Sequence, residues 1–342
     1  MAKKKSDDPS EMSNNERIAK VERIFVVYPR LKNLLDQIEH CRTHSKIAAE
    51  PQCMFVGGLQ GAGKTTLQKY YVSQFPRILH ENGITVPALR ATVPNRATDK
   101  TLVTALLRSL EDPAAEKGSA DNQTARLRGF MNDCGVDVTL LDEFQHFVDK
   151  DSKKVLKTVS DWLKNLIDET WKPIILWGMP YADLILDAEG NEQLRRRFSI
   201  RATLDPFGWG NEREKTEFRL FLREIEKLLP LPDPSRLPEE TMSFRFYCAT
   251  NGRVGKVMKV VRRAAELAIV RSLPKLDLDV LAEAYEERLR HEQPNHENAF
   301  CVERSKLKVV PFEEFVPDFG VTNGRSKPGA GRERASDVLK KR

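Results

Sequence analysis

The stretch Gly57-Gly58-Leu59-Gln60-Gly61-Ala62-Gly63-Lys64-Thr65-Thr66 constrains this chain more than any other. From Gly58 it satisfies the spacing G-x-x-x-x-G-K-[ST], with Gly58, Gly63, Lys64 and Thr65 in the defined places. Glycines let the backbone curl until successive N–H groups point inward at a polyphosphate. Lys64 can reach the β- and γ-phosphates, and Thr65 can place its hydroxyl on Mg²⁺. The helix that follows turns its positive end toward the anion. The surroundings fit: Cys53-Met54-Phe55-Val56 reads as a buried strand and Thr66 to Val72 as a helix. The candidate phosphate-binding set is Gly58, Gly61, Gly63, Lys64, Thr65 and Thr66, with ATP and Mg²⁺ as the expected ligands.

A second half of such a site lies downstream. Val136 to Leu141 is a β-prone run ending in Asp142-Glu143. An apolar strand of this kind delivers an acid beside the phosphates to hold Mg²⁺, a role that fits Asp142. The adjacent Glu143 can orient or deprotonate an attacking water. Alone, such a pair reads equally well as a helix cap. Behind a phosphate loop it points to an ATPase that uses water, not to a nucleotide kinase.

At 342 residues the chain can bury a full core and carry appendages. Its five cysteines are scattered and odd in number, which points to a reducing compartment and not to a disulfide framework. No apolar run approaches membrane-spanning length, so no membrane association is expected. His40-Cys41 with His44 lacks a second ligand cluster and reads as a solvated helix end.

Residues 1–14 are polar and expected to be disordered. Residues 15–50 show helical spacing through Ile18, Val21, Ile24, Leu31, Leu34 and Ile38, split by Pro29 into two helices. Residues 51–210 alternate strands and helices, with strands near 53–56, 88–92, 136–141, 174–177 and 200–204. That alternation implies an α/β core: a five-stranded parallel sheet with helices on both faces. Residues 211–292 read as a small C-terminal helical lid. Residues 293–342 read as an extended basic tail, its cations concentrated from Gly324 onward. A P-loop core of this kind followed by a helical lid is the AAA+ architecture.

Several further segments carry a more specific resemblance. They are Tyr28-Pro29-Arg30-Leu31, Val93-Pro94-Asn95, Leu141-Asp142-Glu143-Phe144-Gln145-His146, Asn191 through Phe198, and Gly252-Arg253-Val254-Gly255-Lys256-Val257-Met258. Together, over about residues 16–290, they resemble the AAA+ regulators of DNA transposition of the TniB and TnsC type. The resemblance implies a protein that binds duplex DNA with ATP and assembles into helical oligomers along it. It also implies partners: a transposase and a target-selecting protein. A helicase loader or replication initiator of the same superfamily is the alternative, as is a nucleotide-gated DNA-binding scaffold with little hydrolysis.

The family pattern assigns further residues. A trans-acting arginine stabilises charge on a neighbouring subunit's γ-phosphate. Among Arg195, Arg196 and Arg197, the pattern matches Arg197, the plainer reading being a surface cluster paired with Asp183 or Asp187. Met179 stands where the family has a threonine, and Gly255 where many AAA+ proteins have a phosphate-touching arginine, so slow hydrolysis is expected. Lys100 matches the family's DNA-contacting lysine, Arg96 precedes it, and Ser119 lies in a second matching loop. These would bind backbone phosphates without reading sequence. Ordinary helix capping is the plainer reading for Ser119.

Overall fold

The computed structural model describes residues 11–95, 97–147, 153–187, 192–294 and 296–309, without the side chains of 153–156, 184 and 185. In chain order the first elements are α1 (Asn14–Glu22), α2 (Pro29–His44), β1 (Met54–Gly58), α3 (Lys64–Ser73), β2 (Ile78–His80), β3 (Gly83–Thr85) and β4 (Ala88–Thr92). Then come α4 (Asp99–Ser109), α5 (Ala120–Asp133), β5 (Val138–Asp142), α6 (Lys153–Thr170), β6 (Ile174–Gly178), α7 (Glu192–Arg197) and β7 (Ile200–Leu204). Four helices close the chain: α8 (Glu212–Leu228), α9 (Glu240–Thr250), α10 (Val254–Val270) and α11 (Leu278–Arg288).

Five strands form one parallel sheet in the order β4-β5-β6-β1-β7. The three inner strands, β1, β5 and β6, are buried at every position, because helices cover both faces. The edge strands β4 and β7 keep partly exposed positions. Neighbours of β1 come from far along the chain, so the loop leaving its C-terminal end opens into a crevice. That is where ligands bind in open α/β sheets. The hairpin β2–β3 was not expected from the strand pattern. Its two-residue turn is Glu81-Asn82, with Gly83 paired to His80, and its strands are short and largely exposed.

Pro29 sits in the first turn of α2, where no N–H is needed, and the chain breaks between α1 and α2 just before it. From there an aromatic cluster ties the N-terminal segment to the lid. Tyr28 meets Phe207 at 4.9 Å and Phe221 at 5.6 Å between ring centres. Phe207 also stacks on Phe221, and Trp209 on Tyr247. Close backbone approach fixes two glycines here. Gly252 has φ +67°, and a Cβ on it would fall 2.1 Å from the Phe207 carbonyl oxygen. A Cβ on Gly255 would fall 2.5 Å from the Gly61 carbonyl oxygen.

Beyond α11 the structure differs from the expected extended tail. Gln293, Asn298, Ala299 and Phe300 are buried against the lid. Phe300 packs edge-on to Phe246, and the buried Arg245 guanidinium donates to the carbonyls of Ala299 at 2.6 Å and Val302 at 2.7 Å. One aromatic in a polar stretch gives no periodicity, yet burying it contributes about 1.5–3 kcal/mol. The N-terminal residues 1–10 and the basic segment 324–342 lie outside the described residues. No described helix is long and apolar enough to cross a membrane.

Candidate nucleotide-binding site

Two of the loop glycines, Gly61 (φ +78°) and Gly63 (φ +96°), are left-handed, a conformation that costs other residues about 1–2 kcal/mol. Gly63 caps α3, so the loop runs straight into the positive end of that helix. Lys64 folds back over the loop. Its ammonium donates to the carbonyls of Gly58 at 2.5 Å and Leu59 at 3.2 Å. The side chain is buried, and desolvation lowers its pKa against the upward pull of Glu143 and Asp142.

The downstream acids arrive beside it. Asp142, at the C-terminal end of β5, accepts a hydrogen bond from the Thr65 hydroxyl at 2.8 Å. A hydroxyl and a carboxylate so joined, next to an ammonium, are the donor set that suits Mg²⁺ on a nucleotide's phosphates. Among the described residues no group of three or more His, Cys, Asp or Glu could hold a metal by itself. Glu143 follows with φ +59°, its N–H donating to Asp142 Oδ1 at 3.0 Å. Its carboxylate accepts from Gln145.

A cavity of about 110 Å³ adjoins the loop. Ile24, Phe25 and Val26 line one side, Ala62 and Thr66 the floor, and Val254 and Met258 of the lid the other. Phe25 is stacked on Tyr70 at 4.3 Å. Largely apolar, with Lys259 and Arg262 at its lining, the cavity adjoins the loop where a nucleotide's base would lie when its phosphates sit on the loop. The lid touches the loop directly, the Gly255 N–H donating to the Gly61 carbonyl at 2.9 Å. Gly255 therefore supplies close approach where an arginine would supply charge.

Sequence reasoning missed Arg90. It rises from β4 and pairs with Asp142 at 3.1 Å while bonding Gln68 at 3.0 Å. Its signal was present: a cation in the apolar run Ala88-Leu89-Arg90-Ala91, opposite the buried Leu140 in register.

The arginine triplet sits elsewhere. The Cys53 N–H donates to the Arg197 carbonyl at 3.0 Å, so α7 ends beside the start of β1, opposite the phosphate loop. A five-residue strand spans about 16 Å, so no arginine of α7 meets its own loop. Arg197 is turned inward, its side chain 10% exposed and paired with Asp168 of α6. Arg196 pairs with Glu50 at 2.7 Å. Arg195 is exposed and makes no ion pair among the described residues. Asp183 and Asp187 are taken by Arg201, not by the triplet.

Lys100 is exposed in the first turn of α4. Ser119 caps α5, its hydroxyl accepting from the Asn122 N–H at 3.3 Å, which is the capping reading realised. α5 finishes at the N-terminal edge of the sheet, where the Val86 N–H donates to the Cys134 carbonyl at 2.8 Å, so Ser119 at its start lies toward the opposite, C-terminal end, as Lys100 does. That end is the one carrying the phosphate loop, because α4 leaves the C-terminal end of β4. Arg96 lies outside the described residues.

Sheet order, phosphate loop, strand-borne acids and helical lid define an AAA+ P-loop ATPase fold. Solved structures with the same fold include Aeropyrum pernix ORC2 in its ADPNP–ADP complexes (16% identity, TM-score 0.57, 81% of this chain and 74% of that one). Cdc6p from Pyrobaculum aerophilum is similar (15%, 0.58, 79% and 71%), as is Aeropyrum pernix ORC1 in complex with DNA (14%, 0.55, 79% and 69%). No curated protein matches the chain in sequence. The family described as "Bacterial TniB protein" matches residues 17–207, and the chain belongs to that TniB family.

Proposed function

We propose that this chain binds ATP with Mg²⁺, assembles with copies of itself on duplex DNA in the bacterial cytoplasm, and regulates DNA transposition. In that role it links a target-selecting protein to the transposase. The observation that carries the reading is the Thr65–Asp142 contact beside Lys64, in a chain matched by the TniB family over 17–207. Nucleotide complexes of ORC2 and the DNA complex of ORC1 support it at the level of those proteins.

The site's division of labour follows from charge. Loop N–H groups and Lys64 would hold the phosphates, and Thr65 and Asp142 would hold Mg²⁺, which would supply neutralisation of the charge that develops on the phosphates. Glu143 takes the proton of the attacking water. A nucleotide-gated scaffold with little hydrolysis is the second reading, favoured by the apolar Met179 and by Gly255. Turnover with and without duplex DNA separates the two.

DNA contact is assigned to the end of the domain that carries Lys100 and Ser119; Arg96, four residues before Lys100 in sequence, is assigned with them. Because the contacts are to phosphates, binding in ATP should fall with salt and vary little between unrelated sequences. Lys100→Glu should weaken binding uniformly and flatten the log–log salt slope by about one unit for each phosphate that a subunit no longer neutralises. Duplex titrations over a salt series measure this. Normal binding by Lys100→Glu at every salt would remove the assignment.

A trans-acting arginine must be exposed at a subunit edge. Arg195 is exposed and carries no ion pair among the described residues, which supports it for this role, whereas Arg196 is held by Glu50 and Arg197 reaches a neighbour only by leaving Asp168. Arg195→Ala should spare ATP binding by isolated subunits yet lose DNA-stimulated turnover. Activity should return when it is mixed with Lys64→Ala protein, each subunit supplying what the other lacks. Arg197→Ala should instead strip Asp168 of its partner, costing roughly 1–3 kcal/mol and a lower Tm. A complementation series, with mixed oligomers verified, checks both; recovery with Arg197→Ala alone would return the role to Arg197.

A further inference from the structure

Gln145 sits in the 3-10 turn Phe144–Phe147, directly after the strand that delivers Asp142 and Glu143. It is buried, and both ends of its amide are used. Nε2 donates to Glu143 Oε2, while Oε1 accepts from the Met179 N–H at 3.1 Å. One side chain thereby ties the acid after β5 to the end of β6. The fold makes room for it. A Cβ on Gly178 would fall 3.1 Å from Gln145 Oε1 and 3.3 Å from Ala182 Cβ, tighter than most such contacts. Phe144 and Phe147, both fully buried, anchor the turn. Its other side is pinned as well. His146 Nδ1 bonds the Val93 carbonyl at 2.8 Å, and the Val93 N–H donates to the Asp142 carbonyl at 2.9 Å.

A glutamate carboxylate on a flexible stem needs a partner to hold one orientation. Glu143 has a left-handed backbone, and Gln145 is the side chain seen donating to its carboxylate. Met179 brings no polar side-chain group to this place and contributes its N–H instead. We infer that Gln145 is the positioning residue of the hydrolytic site: it holds the Glu143 carboxylate in the orientation from which a water's proton is taken. The inference rests on the proposed ATP hydrolysis with Glu143 as base.

Steady-state ATP turnover with saturating duplex DNA, together with MgADP titration, tests it on Gln145→Met, Gln145→Glu and Glu143→Gln. Gln145→Met removes donor and acceptor at similar size. Turnover should fall about tenfold to a hundredfold through misorientation, with KM and MgADP affinity within about twofold of the unaltered protein. Gln145→Glu keeps an acceptor for the Met179 N–H and loses the donor at neutral pH. When protonated it donates again, so its turnover should rise toward acid relative to the unaltered protein. This acid recovery is a readout that a merely structural role would not move. If Gln145→Met does not fold, Gln145→Glu carries the test alone.

Unchanged turnover in both Gln145 variants, with Glu143→Gln inactive, overturns the inference and leaves the reading of Glu143 standing. Turnover and MgADP affinity lost in proportion, or failure of both variants to fold, overturns it in favour of a structural turn. An active Glu143→Gln, or an unaltered protein without turnover, overturns the reading of Glu143 itself and this inference with it.

Discussion

Lys64→Ala is expected to abolish ATP binding at concentrations that saturate the unaltered protein. The ammonium is buried over the loop and already donates to the carbonyls of Gly58 and Leu59. Incoming phosphates would exchange those neutral acceptors for anionic ones. Hydrogen bonds between charged groups contribute roughly 1.5–3 kcal/mol each, so losing two weakens binding by at least about a hundredfold. Burial depresses the Lys64 pKa in the ligand-free site, and a phosphate anion supplies the opposite pull. Thermal unfolding with and without MgATP is the direct measurement. The unaltered protein should gain Tm as ligand exceeds its Kd, and Lys64→Ala should gain none. An equal gain in both would mean that the loop does not hold the nucleotide.

The loop and its acids were legible because their chemistry is local. A fixed spacing of glycines, a lysine and a threonine forces one backbone shape, and Asp142-Glu143 closes a β-prone run at the distance behind that loop where a strand-borne acid is needed. The three inner strands were legible for the same reason: β1 and β6 are apolar runs bounded by loop residues, and Thr139 alone interrupts the apolar stretch of β5 before Asp142. What stayed hidden depends on tertiary contacts. Arg90 reaches Asp142 only because β4 pairs with β5, a neighbour relation that no spacing encodes. Gln145 acquires meaning only where the ends of β5 and β6 come side by side. Phe300 buries itself against α9, far back in the chain. The α7 arginines show the opposite limit. Their place in the sequence is clear, yet which of them faces outward is set by Asp168 and Glu50, two acids remote from them in the chain.

Glu143→Gln separates binding from turnover. Glutamine matches glutamate in size, so the left-handed backbone at this position and the hydrogen bond from its N–H to Asp142 Oδ1 are retained. What disappears is the carboxylate able to accept a proton. General-base catalysis contributes about 10²–10⁴-fold, and turnover should fall by that order while ATP affinity is kept. If hydrolysis times the release of DNA, the ATP-loaded assembly of Glu143→Gln should outlive that of the unaltered protein on duplex DNA. Single-turnover hydrolysis and DNA retention after dilution, measured on the same samples, test both halves. Lost turnover with unchanged retention would cut hydrolysis away from release, and the nucleotide would then act as a gate on assembly, as the scaffold reading holds. Faster release by Glu143→Gln would mean that the carboxylate stabilises the assembly by its charge, and its role as a base would have to be given up.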